Sequence, residues 1–179
     1  MNLKDEDCFY PINGDTSVVE NYCKNNFNNF DFVCPNENFN VWKCYHFKYD
    51  EVRKLISSDP TLSKIDQVLE ISHCFVMEIS KNSWVGWHFD YPRKGPALNL
   101  LLTPDARSFS LFTDTLYDMS NIVECKYQPH QYLLYNTDLI HSIVNFDQPR
   151  YLFSALFKRG KENLVWQEAI MLLDNIKYD

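Results

Sequence analysis

Glycine is scarce, with 4 in 179 residues. That scarcity excludes glycine-rich phosphate-binding loops and collagen-like repeats, which need residues without a Cβ at fixed places. No apolar run approaches the roughly 18 residues of a membrane span. The stretch from Met1 to Asp7 is charged and no apolar segment follows it, so no secretory signal is visible. Basic residues are the minority, 17 Lys and Arg against 24 Asp and Glu, for a net charge of -7. A phosphate-backbone footprint needs clustered cations, so duplex nucleic acid is not expected as a partner. The six cysteines (Cys8, Cys23, Cys34, Cys44, Cys74 and Cys125) include no CxxC pair. With no export signal they read as reduced thiols of a cytoplasmic protein, some serving as small core hydrophobes.

What the chain does have is apolar surface. Residues of that kind make up 45% and aromatics 16%, which argues against disorder. The length suits a single domain over 1–179, with no linker and no internal repeat. Residues 21–40 hold eight Asn interleaved with Phe27, Phe30, Phe32 and Phe39. Asn favours turns and caps, and the phenylalanines are expected to anchor the segment to a core.

The N-terminal part, 1–71, reads as an α/β extension. Residues 38–48 suit a strand. Val52, Leu55 and Ile56 set a helix that Asp59-Pro60 stops, and Thr61 is the expected cap of a second helix through Leu69. From 72 to 158 the texture changes to short apolar runs between turn signals. Eight strands are expected, at 74–79, 84–89, 98–102, 109–112, 122–127, 132–135, 142–146 and 151–157. No helix fits between them, so a mainly β jelly roll follows. Residues 162–177 return to a helical period. The expected architecture is therefore a β core with flanking N-terminal helices and a closing C-terminal helix.

Of five histidines, His88 stands two residues before Asp90. On extended backbone, residues i and i+2 share a face, so the imidazole and carboxylate converge. His141, 51 residues beyond Asp90, can supply a third ligand from another strand. Two imidazoles and one carboxylate on one face of a metal leave three positions open, as non-haem Fe(II) oxygen chemistry requires. Arg150 follows His141 by nine residues and opens the next strand. A buried guanidinium there suits the far carboxylate of a keto acid.

The run from Trp87 through His88, Asp90, Tyr91, Pro92 and Arg93 to Ala97-Leu98-Asn99, followed by His141 and Arg150, resembles the Fe(II)/2-oxoglutarate-dependent dioxygenase superfamily. More narrowly it is similar to the small bacterial and phage branch related to aspartyl/asparaginyl hydroxylases. The resemblance covers roughly residues 74–158. It implies a double-stranded β-helix, Fe(II), 2-oxoglutarate and O2, and a hydroxylase. It further implies that His88, Asp90 and His141 are the iron ligands and Arg150 the 2-oxoglutarate anchor. The pattern departs at Leu152, where many members carry a serine; the nearest serine is Ser154. Asn99 and Tyr135 are candidates for the missing polar partner.

Other residues have competing readings. Arg93 and Lys94 suit a solvated turn or an anionic substrate. Trp84 and Trp87 suit core packing or a pocket wall. His46 suits a pocket, while His73 and His130 read as ordinary. Asp138 either orients the His141 imidazole or belongs to an Asn136-Thr137-Asp138 turn. Asp147 can pair with Arg150 at the surface, which would remove the anchor. The expected substrate is an amino-acid-like group, a peptide or a small metabolite. The rival classes are a cupin-like metal or ligand-binding protein without 2-oxoglutarate turnover, and a non-catalytic β-sandwich interaction domain.

Overall fold

A computed structural model describes residues 3–34, 41–90, 95–117, 120–159 and 164–176. The N-terminal part holds α1 (Asp5–Cys8), β1 (Phe9–Ile12), α2 (Ser17–Asn26), β2 (Trp42–His46), α3 (Tyr49–Ser58) and α4 (Pro60–Leu69). The β core follows with β3 (Ile71–Ile79), β4 (Ser83–His88), β5 (Ala97–Leu101) and β6 (Ser108–Thr113). It continues through β7 (Ile122–Cys125), β8 (Tyr132–Tyr135), β9 (Ile140–Asn145) and β10 (Arg150–Phe157), and α5 (Trp166–Asp174) closes the chain. All eight expected core strands are present.

The strands form two antiparallel sheets. The six-stranded sheet runs β1-β8-β5-β10-β3-β2 and the four-stranded sheet β4-β9-β6-β7. This is the jelly roll. Both edges of the larger sheet come from the N-terminal part, β1 on β8 and β2 on β3. β1 was not expected: it is four residues long and contains Pro11, a residue that sheets tolerate at an edge.

Each face of the larger sheet has its own cover. Leu98 and Leu100 of β5, Val76 of β3 and Phe153 of β10 join Leu62, Ile65 and Leu69 of α4 in one core, with Ala169 and Leu173 of α5. The alternate residues, such as Asn99 and Ser154, look to the smaller sheet and the cavity between. So β5 and β8 are buried throughout, and their runs ALNLL and YLLY show little polar alternation. The Asn-rich segment is anchored as expected. Phe30 stacks on Tyr45 at 4.2 Å and Phe27 on Tyr151 at 4.7 Å, while Phe39 lies outside the described residues. No disulfide joins the six cysteines; five of them are buried, and burial pushes Cys8, Cys23 and Cys74 up to about 12.

The helix boundary at 59–61 corrects the sequence reading. Asp59, not Thr61, is the cap of α4: its Oδ1 accepts the Leu62 N–H at 2.8 Å, and Pro60 occupies the first turn. The Thr61 hydroxyl instead donates to the Asp15 carbonyl at 3.1 Å. Asp59 is fully buried, and Tyr132 donates to its Oδ2 at 2.9 Å. Asp59→Ala removes the cap and strands the Tyr132 hydroxyl, at a cost of about 2–4 kcal/mol in urea unfolding. Asp59→Asn keeps an acceptor and a donor and should stay within about 1 kcal/mol of the parent.

The same pair carries a pH test. Burial raises the Asp59 carboxyl above its usual range, so the folded chain holds that proton more tightly than the unfolded one. The parent therefore loses stability relative to the Asn variant as pH rises through the raised value. A parent that gains stability relative to the Asn variant as pH rises refutes this.

Candidate metal centre and cavity

His88 ends β4 and His141 is the second residue of β9; the two are direct cross-strand partners. Their register shifts between Val85 and His88, an irregularity that re-aims the end of β4. The rings lie 4.3 Å apart by centroid. His88 Nδ1 lies 2.7 Å from the Gly86 carbonyl, and His141 Nδ1 lies 2.9 Å from the Leu139 carbonyl. A carbonyl only accepts, so each Nδ1 carries the proton and each Nε2 keeps its lone pair. Both Nε2 atoms are 3.8 Å from Asp90 Oδ1. All three ligand atoms lie within 4.8 Å of one another. His141 is only 4% exposed, while His88 and Asp90 are half-buried.

This donor set fits a divalent ion. Ligating imidazoles commonly have the far N–H fixed by a carbonyl, as both do here. The Asp90 N–H reaches the Thr137 carbonyl at 3.4 Å, which ties the carboxylate to the turn before β9. Asp138 does not orient His141: its Oδ1 accepts from the Gly95 N–H at 3.0 Å, so it is part of the turn.

Arg150, the first residue of β10, is 1% exposed. Its Nη2 donates to Ser110 Oγ at 2.9 Å, and the guanidinium sits 5.0 Å over the Tyr127 ring. Asp147 does not compete for it. That carboxylate accepts the Arg107 N–H at 3.2 Å. Arg150 Nε and the Tyr135 hydroxyl are buried without a hydrogen-bond partner among the described residues. Buried donors left unpaired within the fold are available to a bound water, ion or ligand. They fit a carboxylate-bearing co-substrate.

A cavity of about 690 Å³ lies between the sheets. His88, Asp90 and His141 line it, with Asn99, Ser110, Tyr127 and Tyr135. Arg150 stands behind Ser110 and Tyr127 rather than on the wall. Ser154, well along β10 from Arg150, serves another partner: its hydroxyl donates to Asn99 Oδ1 at 2.6 Å. Asn99 Nδ2 in turn reaches the Tyr127 hydroxyl at 3.4 Å. Burial raises the Tyr127 and Tyr135 hydroxyls, so both stay protonated donors.

Sequence reasoning missed Ser110 and Tyr127. A hydroxyl between Phe109 and Leu111 inside a strand is a readable signal for the first. Tyr127 lies two residues past the end of β7, where no pattern marks it. Trp87 lines the cavity, whereas Trp84 is 58% exposed and donates to Ser142 Oγ at 2.7 Å. His46 and His73 both line the cavity. His130 is not among its lining residues and pairs with Glu20 Oε1 at 2.8 Å. Arg93 and Lys94 lie outside the described residues.

Two antiparallel sheets closing over a His-X-Asp and a distant His have the architecture of the Fe(II)/2-oxoglutarate oxygenase fold. No protein-family model matches the sequence, and no curated protein does. Solved structures match well. HygX from Streptomyces hygroscopicus, with nickel and 2-oxoglutarate bound, aligns with a TM-score of 0.59 at 13% identity, over 82% of this chain and 81% of HygX. A prolyl hydroxylase from Trichoplax adhaerens, in complex with a hypoxia-inducible-factor peptide, aligns with a TM-score of 0.57 at 16% identity, over 86% and 84%. A 2OG-Fe(II) oxygenase family oxidoreductase from Burkholderia pseudomallei gives 0.59 at 10% identity, over 78% and 77%. At such identities the likeness is one of fold. Among the described residues no helix is long and apolar enough to cross a membrane.

Proposed function

We propose that this chain is an Fe(II)- and 2-oxoglutarate-dependent oxygenase that hydroxylates a C–H bond of a small-molecule, amino-acid-like or peptide substrate. The observation that carries the reading is the convergence of two Nε2 lone pairs and one carboxylate oxygen, with both imidazole tautomers set by backbone carbonyls. His88, Asp90 and His141 would hold the iron. Arg150, backed by Ser110 and the Tyr127 and Tyr135 hydroxyls, would hold the distal carboxylate of 2-oxoglutarate, and Asn99 would fix Tyr127. The bound iron, keto acid and O2 supply the oxidising chemistry, which releases succinate and CO2 and places one oxygen atom on a substrate carbon.

The chain's own work is positioning and exclusion of water. With iron held by His88, Asp90 and His141, the Asp90 carboxylate would fill a place that a halide would need, which would favour hydroxylation over halogenation. The cavity falls in the usual range for small-ligand sites, roughly 300–1,000 Å³. HygX has been solved with hygromycin B and the Trichoplax enzyme with a peptide, so this fold accommodates both substrate classes. The narrower likeness to aspartyl/asparaginyl hydroxylases rests on the Ala97-Leu98-Asn99 strand and favours an amino-acid-like group. The buried, protonated thiols suit the reducing cytoplasm, the setting this reading assumes.

Anaerobic Fe(II) with 2-oxoglutarate should give a weak visible charge-transfer band. Succinate release, screened over amino acids, peptides and metabolites, should then identify the substrate. Fully metallated protein that shows no band with 2-oxoglutarate would point to the cupin-like alternative. Failure to bind any divalent ion, unchanged by His88→Ala, would point to a non-catalytic interaction domain.

A further inference from the structure

The cavity holds an ionisable pair that iron and 2-oxoglutarate leave unused. His46 ends β2 and His73 lies near the start of β3, the two outermost strands on one side of the larger sheet. In register His46 faces Phe75, so His73 meets it diagonally. His46 Nδ1 and His73 Nε2 are 2.8 Å apart, and the rings stack at 5.0 Å with 28° between planes. Such a contact requires one shared proton between the two nitrogens. His73 thus occupies Nδ1 of His46 and leaves Nε2, the second nitrogen of an exposed ring, to another partner.

The surroundings make the pair distinctive. Trp42, Phe75 and Met77 flank it on the cavity face, and neighbouring β10 adds Leu152, Ser154 and Leu156. Cys44 is the other titratable group that β2 brings there, and β3 brings only His73. The charged residues of these strands, Lys43 and Glu78, face each other across the alternate register on the reverse side. Across the cavity the titratable lining groups are His88, Asp90, His141, Tyr127 and Tyr135.

We propose that His46, positioned by His73, recognises a carboxylate on an apolar or aromatic substrate body; the proposal deepens the oxygenase reading above and rests on it. An anion at Nε2 draws a proton onto His46. The imidazolium then donates from Nε2 to the anion and from Nδ1 to His73, and both contacts favour the charged form. The apolar wall strengthens the ion pair relative to water. A chain of net charge -7 repels anions in general, so an acidic substrate needs a local cation. Here the cation is the His46 imidazolium that the bound anion stabilises, and binding draws in a proton. His73 is a positioning residue: it accepts from Nδ1 and thereby sets which nitrogen of His46 meets the ligand.

The test uses full-length protein loaded with Zn(II) and saturated with 2-oxoglutarate. Phenylacetate is the probe and phenylacetamide its neutral counterpart. Imidazole nitrogen NMR should show His46 moving to the doubly protonated form with phenylacetate and staying put with the amide. Calorimetry in two buffers of different ionisation enthalpy should show uptake of about one proton, with affinity falling up to about tenfold per pH unit on the alkaline side. His46→Gln should abolish the uptake. His73→Ala should weaken binding, and His73→Gln, which keeps an acceptor, should restore part of it.

Unmoved His46 signals, or equal binding of acid and amide, overturn the proposal. A probe that moves only His88 and His141 overturns it too, and leaves the oxygenase reading intact. Whether 2-oxoglutarate binds is read first, on the His88 and His141 signals. If it does not, that reading fails separately, and His46 is followed in the metal-free protein, where an unmoved signal again refutes the recognition site.

Discussion

Asp90→Ala is expected to abolish keto-acid-coupled turnover while leaving the fold intact. The carboxylate oxygen sits 3.8 Å from each Nε2, and removing it leaves two imidazoles that cannot hold a divalent ion in a three-ligand facial set. Loss of a group that merely supports a ligand costs about 10–100-fold in metal affinity, so loss of the ligand should cost more than about 100-fold. The fold should tolerate the change. Asp90 is half-buried, and its backbone N–H to Thr137 survives in alanine. Unfolding of metal-free protein should therefore shift by less than about 0.5 kcal/mol. His141→Ala is a poorer probe, because that ring is buried against Tyr135 and Phe112. Two readouts decide the matter: a divalent-ion titration and succinate release. An Asp90→Ala protein that binds metal like the parent, or still couples 2-oxoglutarate to oxidation, ends the assignment.

The local chemistry was legible where short-range geometry dictates it. His88 and Asp90 share a face because extended backbone repeats every two residues, and Arg150 opens a strand because Pro149 stops at its door. The strand count was legible from turn residues at regular spacing. What escaped was long-range. Four strands, β5 to β8, separate His88 from His141, and no local pattern states that the two are register partners. The Arg150 partners come from β6 and from the segment after β7, so Ser110 and Tyr127 become neighbours only when the smaller sheet forms. His73 looked ordinary because its partner, His46, lies 27 residues back on another strand. Thr61 looked like a cap because Thr is a good one. Asp59 prevailed because its carboxylate also meets Tyr132, a contact across 73 residues.

Arg150→Met should raise the 2-oxoglutarate concentration needed for half-maximal turnover by about 10–100-fold and leave the rate at saturation nearly unchanged. A hydrogen bond to a charged group contributes about 1.5–3 kcal/mol, and each 1.4 kcal/mol is roughly tenfold. Methionine approximates the volume of the stem, so the core around Ser110 and Tyr127 stays filled. Alanine would leave a void behind the cavity wall and confound affinity with stability. Lysine keeps the charge but not the planar fork, and should fall between the parent and methionine. The change targets keto-acid binding because the Arg150 guanidinium is engaged by Ser110 and the Tyr127 ring, so metal affinity should not move. The competing role is structural, with the guanidinium bracing Ser110 and the Tyr127 ring. That role predicts a lower unfolding midpoint with an unaltered 2-oxoglutarate requirement. The unpartnered Nε favours the anchor, since a purely structural arginine at 1% exposure would be expected to satisfy that donor within the fold.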